Sequence, residues 1–399
     1  METNKETYDL VAKTFKGLEN VLATELKNLG ASEIKVLNRA VSFKADKALM
    51  YKANLWLRTA LSVLKPIHVF KARNEVDLYK GIGEIEWSDY FNVDDTVAIN
   101  TTVNSPYFNN SQFVALKAKD AIVDQFRNKF GKRPSIDTEN PTILLNIHLS
   151  EDECDVSIDS SGDSLHKRGY RVNSTIAPIN EVLAAGMILL SGWDMKSNFL
   201  DPMCGSGTLP IEAALIAYNI PPGIFRKEFG FENWKDFDKD LFESIYNDDE
   251  DDSYEFKHQI SGSDISAGTI RIAMDNAKNA CLGNKISFQV KSFESYTPTT
   301  EFGTVMINPP YGERLKKNNI QEFYQLIGNQ LKRNFAGHNV WILSGNKEAL
   351  DFIGLHPSKK ITLFNGAIEC KFQNFNIYEG SLKAKKIDQP LKKLDRKPL

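Results

Sequence analysis

Cysteine is scarce in this chain. Its 399 residues contain four, Cys154, Cys204, Cys281 and Cys370, widely separated and without a C-x-x-C pair. That spacing argues against a disulfide framework and against a cysteine-based zinc site, and it points to a cytoplasmic protein with reduced thiols. The six histidines form no H-x-x-x-H or H-E-x-x-H pattern, so no metal is expected. Long apolar runs are missing too. Residues 1–10 lack the apolar core of a signal peptide, and the most apolar helix-like run, residues 183–193, is too short to span a bilayer. No membrane association is expected. Charge of one sign is not in excess: 49 Lys and Arg against 52 Asp and Glu leave a net charge of −3. This does not announce a nucleic-acid binder, although a local basic patch would suffice for one. A G-K-[ST] sequence is absent from the glycine loop described below, which excludes a P-loop there.

What is present is ordinary globular composition, 42% hydrophobic and 25% charged, enough for two or three domains. Residues 1–65 read as a small α/β unit. An amphipathic helix over 18–29 is stopped by Gly30, two strands flank the turn at Asn38-Arg39, and a second helix over 47–64 is closed by Pro66. Residues 66–158 repeat the style. Their longest helix, 111–129, buries Val114, Ala118, Ala121, Ile122 and Phe126 on one face, and an antiparallel pair follows at 142–149 and 153–159. Lys117 and Lys119 of that helix can meet RNA phosphates, or belong to a solvated face, which the mixed sign of its charges favours.

Residues 159–176 read as a linker. Within it, His166-Lys167-Arg168-Gly169-Tyr170-Arg171 sets cations beside an aromatic, suited either to RNA backbone and a stacked base or to an interdomain strut. Pro178 is placed to open a helix that Gly192 caps. From there to about residue 380, strands and helices alternate, which predicts a doubly wound, mostly parallel sheet, and Asn365-Gly366 predicts an antiparallel hairpin at its end. Residues 220–258 interrupt the rhythm as an insertion with five aromatics and the acidic run 248–252, read as a solvated loop. Residues 381–399 are a basic, Lys-rich tail.

Three stretches at strand ends carry chemistry. The first is residues 199–208, with Asp201, Gly205 and Gly207 ahead of a helix. The two glycines permit a tight turn and close approach to a ligand. With no G-x-G-x-x-G and a carboxylate at the strand end, the loop fits a ligand carrying an ammonium and no phosphate, such as the amino-acid end of S-adenosylmethionine. The second is Asp264, placed to take ribose hydroxyls or to cap a helix. The third is Asn308-Pro309-Pro310-Tyr311-Gly312-Glu313-Arg314-Leu315. The prolines stiffen the loop after a buried strand. Asn308 then offers an amide oxygen, Pro309 a free carbonyl and Tyr311 an aromatic face, a set suited to a planar base with an exocyclic amino group. Cys204 has no histidine nearby in sequence and carries little weight as a nucleophile.

With these motifs in order, the chain resembles the RlmL-type 23S rRNA guanine-N2 methyltransferases. The resemblance covers nearly the whole length and rests on residues 165–171, Ala177-Pro178, 201–208, Pro222-Gly223, 231–234, Asp264, 308–315 and Asn365-Gly366. It implies a ferredoxin-like unit (1–65), a THUMP RNA-binding domain (66–158), a linker (159–176), a Rossmann-like methyltransferase domain (177–380) and a basic tail (381–399). It implies S-adenosylmethionine as cofactor, held by Asp201, Gly205, Gly207, Asp264, Ser292 and Asn308. Catalysis would fall to Asn308, Pro309 and Tyr311, and RNA contacts to Lys117, Lys119, His166, Lys167, Arg168 and Arg171. The partner would be 23S rRNA or a large-subunit assembly intermediate. Ser292 stands where relatives often have an aspartate for the adenine amino group. Longer members carry a second methyltransferase domain; a chain ending at Leu399 would perform only the guanine-N2 reaction. Competing readings are a tRNA guanine-N2 methyltransferase, a DNA adenine-N6 enzyme, and a non-catalytic RNA-binding assembly factor.

Overall fold

The computed structural model describes residues 7–173, 178–247, 256–300, 302–310 and 317–378. The expectations placed on Ala177, the acidic run 248–252, Tyr311 to Leu315 and the tail 381–399 lie outside these residues. Two sheets organise the described chain. The first has eight strands in the order β2 (Ser32–Leu37), β3 (Ala40–Ala45), β1 (Tyr8–Lys13), β4 (Ser62–Lys71), β8 (Glu153–Asp159), β7 (Ile143–Ser150), β5 (Thr96–Asn104) and β6 (Ser135–Ile136). β4 is the hinge of this arrangement, pairing antiparallel with β1 through residues 62–64 and with β8 through residues 64–71. The ferredoxin-like and THUMP strands are therefore one continuous sheet, and the boundary expected between 65 and 66 falls inside β4.

The expectation of one helix over 47–64 fails at the same place. α1 (Glu19–Asn28) buries Leu22 and Leu26 and carries Glu25, whose carboxylate accepts the backbone amides of Arg58 and Thr59 at 2.8 and 3.1 Å. α2 (Lys47–Trp56) ends just before that anchor. Pro66 then sits within β4 where the register with β8 shifts, a bulge that tolerates the missing N–H. α3 (Glu75–Gly83) and α4 (Ser111–Phe130) complete this half. α4 buries the five positions its periodicity predicts, together with Val123, and ends at left-handed Gly131.

The second sheet has seven strands in the order β11 (Ile286–Val290), β10 (Ile260–Asp264), β9 (Asn198–Asp201), β12 (Gly303–Ile307), β13 (His338–Ser344), β15 (Ile368–Asn376) and β14 (Lys359–Asn365). β9 to β13 are mutually parallel, while β15 runs antiparallel to both β13 and β14. This is a Rossmann-like methyltransferase sheet with an antiparallel terminal hairpin. Strand order reverses between β9 and β12. A crevice therefore opens beyond the carboxyl ends of those two strands.

α5 (Glu181–Ser191), α6 (Thr208–Ala217) and α8 (Ala267–Asn279) flank this sheet, with α9 (Lys317–Asn334) and α10 (Lys347–Asp351) following β12 and β13. α5 begins later than Pro178 implied, because the Asn180 side chain caps it by accepting the amides of Val182 and Leu183. The insertion contributes α7 (Lys239–Tyr246) and an aromatic cluster that packs into the core of the first sheet. Phe231 stacks on Tyr51 of α2 with ring centroids 4.3 Å apart. The insertion thus fastens the two halves together. Among the described residues, no helix is long and apolar enough to cross a membrane.

Candidate active site

The crevice at the strand reversal is a cleft of about 760 Å³, within the range that holds a cofactor-sized ligand. β9 delivers Asp201 to its floor, 2% exposed, with Oδ1 accepting the Met203 amide at 3.1 Å. Burial, aided by nearby Asp264, pushes the Asp201 carboxyl up to about 8. An isolated buried carboxylate is costly, so burial favours the protonated form and a cation beside it would favour the ionised one. The loop that follows is held by backbone bonds from Cys204 N to Ser263 O and from Gly207 N to Cys204 O. Its two glycines differ in role. Gly205 (φ +53°) lines the cleft with open space beside it. Gly207 (φ +84°) is turned away, and a Cβ there would lie 3.0 Å from Ala273 Cβ on α8. Gly207 therefore lets the loop pack on α8 and does not line the cleft.

β10 ends at Asp264, also on the cleft wall. Its Oδ1 accepts the Ser266 amide at 2.9 Å, and Ser266, not Asp264, caps α8. β12 delivers Asn308. The Asn308 Oδ1 is buried and has no hydrogen-bond partner among the described residues. A buried acceptor without a partner carries a free-energy penalty that a ligand N–H removes. Pro309 is buried behind it, and Pro310 joins Asn308 in the lining.

Ser292 is outside that lining. Its hydroxyl bonds to Ser295 Oγ at 3.0 Å, while the next two residues, Phe293 and Glu294, form the wall. Sequence reasoning missed these two, as well as Met203, Ile265, Thr269 and Phe323. Ile265 carries a usable signal, an apolar side chain 73% exposed directly after the strand-end acid. Phe323 sits on α9, fifteen positions beyond Asn308, and nothing local marks it.

The expected RNA contacts divide. Arg168 is 2% exposed, donates to the carbonyls of Leu165 and Arg58, and lies 3.5 Å from Glu212 Oε1. Tyr170 is buried and donates to Glu212 Oε1 at 3.0 Å. Arg171 pairs with Glu181 at 2.6 Å. Burial corrects the RNA assignment of Arg168, a strut between the halves; Arg171 is half-buried and bonds Glu181, Ser206 and Thr208 within the second half. His166 is half-buried against Ser164 Oγ, and burial lowers its imidazole pKa. Lys167 is exposed and paired with Asp163. Lys117 and Lys119 pair with Glu75 and Asp120 at 3.1 and 2.7 Å. A second cleft of about 1030 Å³ lies between the THUMP strands, this linker and the insertion, and it shares Pro178 and Ile179 with the first.

Three family models match successive parts of the chain: an RlmL ferredoxin-like domain over residues 9–64, a THUMP domain over 72–159, and an RMKL-like methyltransferase domain over 168–374. A protein of Synechocystis sp. described as a putative RNA methyltransferase is 39% identical over 369 residues, 92% of this chain and 96% of that protein. The crystal structure of SMU.472, described as a putative methyltransferase complexed with SAH, is 32% identical with a TM-score of 0.83, over 94% of this chain and 100% of that one. A Listeria monocytogenes protein described as a predicted N6-adenine-specific DNA methylase is also 32% identical, with a TM-score of 0.82, over 93% of this chain and 96% of that one. The cleft fits the same group: a buried carboxylate for an ammonium, an acid on the neighbouring strand for hydroxyls, and apolar walls between them. The chain belongs to the RlmL-type methyltransferases, with a ferredoxin-like unit, a THUMP domain and a Rossmann-like domain whose cofactor is S-adenosylmethionine.

Proposed function

We propose that the protein methylates the exocyclic N2 amino group of a guanine in 23S rRNA. The observation that carries the amino-group acceptor is the buried Asn308 Oδ1, which has no hydrogen-bond partner among the described residues, in the wall of the cofactor cleft. S-adenosylmethionine supplies an electrophilic methyl group when bound. Asp201 and the loop through Gly205 hold its amino-acid end, and Asp264 takes the ribose hydroxyls. Phe293 and Ile265 form the apolar walls, and Ser292 stays outside the contact assigned to it from sequence.

The guanine N2 lone pair is delocalised into the ring, which makes it a poor nucleophile. Asn308 Oδ1 and the Pro309 carbonyl accept its two N–H bonds and favour a pyramidal nitrogen. Positive charge grows on that nitrogen during transfer, and acceptors held in place beforehand would stabilise it. Positioning provides most of the remaining rate. The extra proton leaves to water after transfer, so no strong base is needed. Tyr311 is assigned the stacking face for the extruded base on the strength of the sequence.

RNA as the substrate class is supported by the THUMP domain and by the description of the Synechocystis relative. The second cleft supports a route between them, since it runs from the THUMP strands to the shared Pro178 and Ile179. Exposed Lys167 meets RNA backbone there. Lys117 and Lys119 add contacts, because exposed ion pairs hold their partners weakly. The Listeria relative's description favours a second reading, an adenine N6 amino group, which would satisfy Asn308 equally well.

Replacing Asn308 with Ala tests the assignment. The variant is expected to bind S-adenosylhomocysteine like wild type in calorimetry and to lose methyl transfer to rRNA by at least about a hundredfold, as loss of a transition-state acceptor does elsewhere. Wild-type turnover in that variant would refute the role.

A further inference from the structure

The linker reaches further than its strut role requires. Arg171 does not end at Glu181: its Nη1 donates to Ser206 Oγ at 3.1 Å and its Nη2 to Thr208 Oγ1 at 2.9 Å. Ser206 belongs to the turn between β9 and α6 and Thr208 opens α6, and both residues line the cofactor cleft. Arg171 itself lies near the start of the residues that match the methyltransferase family model, outside the cleft lining. A second residue grips the same turn independently. Asn276 of α8 is 1% exposed and lies outside the cleft lining. Its amide nitrogen donates to Ser206 O and Asn173 O, each at 3.1 Å, and its oxygen accepts the Val172 amide at 3.1 Å. Ser206 is thus held at its side chain by Arg171 and at its carbonyl by Asn276, and Asn276 also holds the two linker residues after Arg171.

We propose that Arg171 and Asn276 are positioning residues that pre-form the cofactor turn, so that residues 171–173, ahead of the first strand of the second sheet, are a structural part of the S-adenosylmethionine site. A turn fixed before binding spares the ligand the ordering of that backbone. The guanidinium is suited to this task because one planar fork serves Glu181, Ser206 and Thr208 together, which an ammonium cannot do. The inference rests on the cleft as cofactor site and is independent of the guanine assignment.

The test uses the full chain with S-adenosylhomocysteine in calorimetry, and with protein-free rRNA in filter binding. Arg171→Lys keeps the charge beside Glu181 and loses the fork; Asn276→Ala removes the second grip without touching the cleft. Each is expected to weaken S-adenosylhomocysteine about tenfold, the scale of one lost charge-assisted or buried hydrogen bond, while rRNA affinity stays within twofold. Arg171→Ala should weaken it further, with Arg171→Lys between it and wild type. Asp264→Ala separates this idea from the cleft assignment. If Asp264→Ala weakens the ligand and Asn276→Ala and Arg171→Lys do not, the positioning role is overturned and the site stands. If Asp264→Ala has no effect, the cleft assignment falls and the inference with it. Loss of rRNA affinity at unchanged S-adenosylhomocysteine affinity in Arg171→Lys would also overturn the proposal, marking Arg171 as an RNA contact.

Discussion

Asp201 shows how one residue can be held at a cost until its ligand arrives. Its carboxyl is pushed up to about 8 by burial and by Asp264, far above the ordinary carboxylate range. Between that ordinary range and about 8, the folded chain keeps a proton that the unfolded chain has released. Stability from this residue is therefore full at low pH and lost as pH rises towards 8. An ammonium beside it reverses the balance and expels the proton, so S-adenosylhomocysteine should bind more tightly as pH rises from about 6.5 to 8. Asp201→Asn is predicted to abolish most of that pH dependence and to weaken binding, yet to melt no lower than wild type at pH 8. Calorimetry across pH, beside thermal melts, checks both; a variant that melts lower and binds normally would contradict the assignment. Legibility at this scale followed position. That Asp201, Asp264 and Asn308 share one cleft was legible because strand ends in an alternating pattern announce themselves. The surroundings of Gly207, Arg168 and Arg171 were not, because their partners, Ala273, Glu212 and Ser206, come from elements distant in sequence.

At the scale of elements, local signals predicted most helices and strands, and tertiary anchors overrode the rest. Pro66 reads as a helix terminator, yet it occupies a bulge in β4 because Glu25 of α1 captures the chain at Arg58 and Thr59 first. No spacing within residues 47–66 encodes that capture. Pro178 lost its place to Asn180 because a side-chain cap that satisfies two amides outweighs a preset φ. The insertion reads as an interruption, and its packing against α2 could not be foreseen from its composition. Phe231 is fully buried and stacked between Tyr51 and Phe229. Phe231→Ala should cost about 3–5 kcal/mol, as large-to-small aromatic changes in cores do. Chemical denaturation would check it, and a change under about 1 kcal/mol would show that the cluster carries little of the stability.

At the scale of the whole molecule, β4 joins the two parts of the first sheet, and Arg168 and the insertion tie that sheet to the second half, beside two clefts that share Pro178 and Ile179. The Arg226 guanidinium illustrates the join, donating to the carbonyls of Ser161, Asp163, Ser164 and Lys167 from the insertion. RNA held in the wider cleft would then present a nucleotide to Asn308 in fixed register. Lys167 is an exposed cation of this passage, as is Lys227, so Lys167→Glu should weaken rRNA binding several-fold and flatten its salt dependence by about one unit of log–log slope. S-adenosylhomocysteine affinity should not change. Filter binding across a salt series tests this, and an unchanged slope would remove Lys167 from the RNA path.

Asn308 is proposed to direct methyl transfer to the amino group of a guanine in 23S rRNA. Nucleoside mass spectrometry of 23S rRNA fragments measures it directly, after incubating unmodified rRNA and tRNA with the protein and S-adenosylmethionine. The account predicts N2-methylguanosine in one 23S fragment with wild type and none with Asn308→Ala. Methylation confined to tRNA, N6-methyladenosine as the product, or N2-methylguanosine formed equally by Asn308→Ala would contradict it.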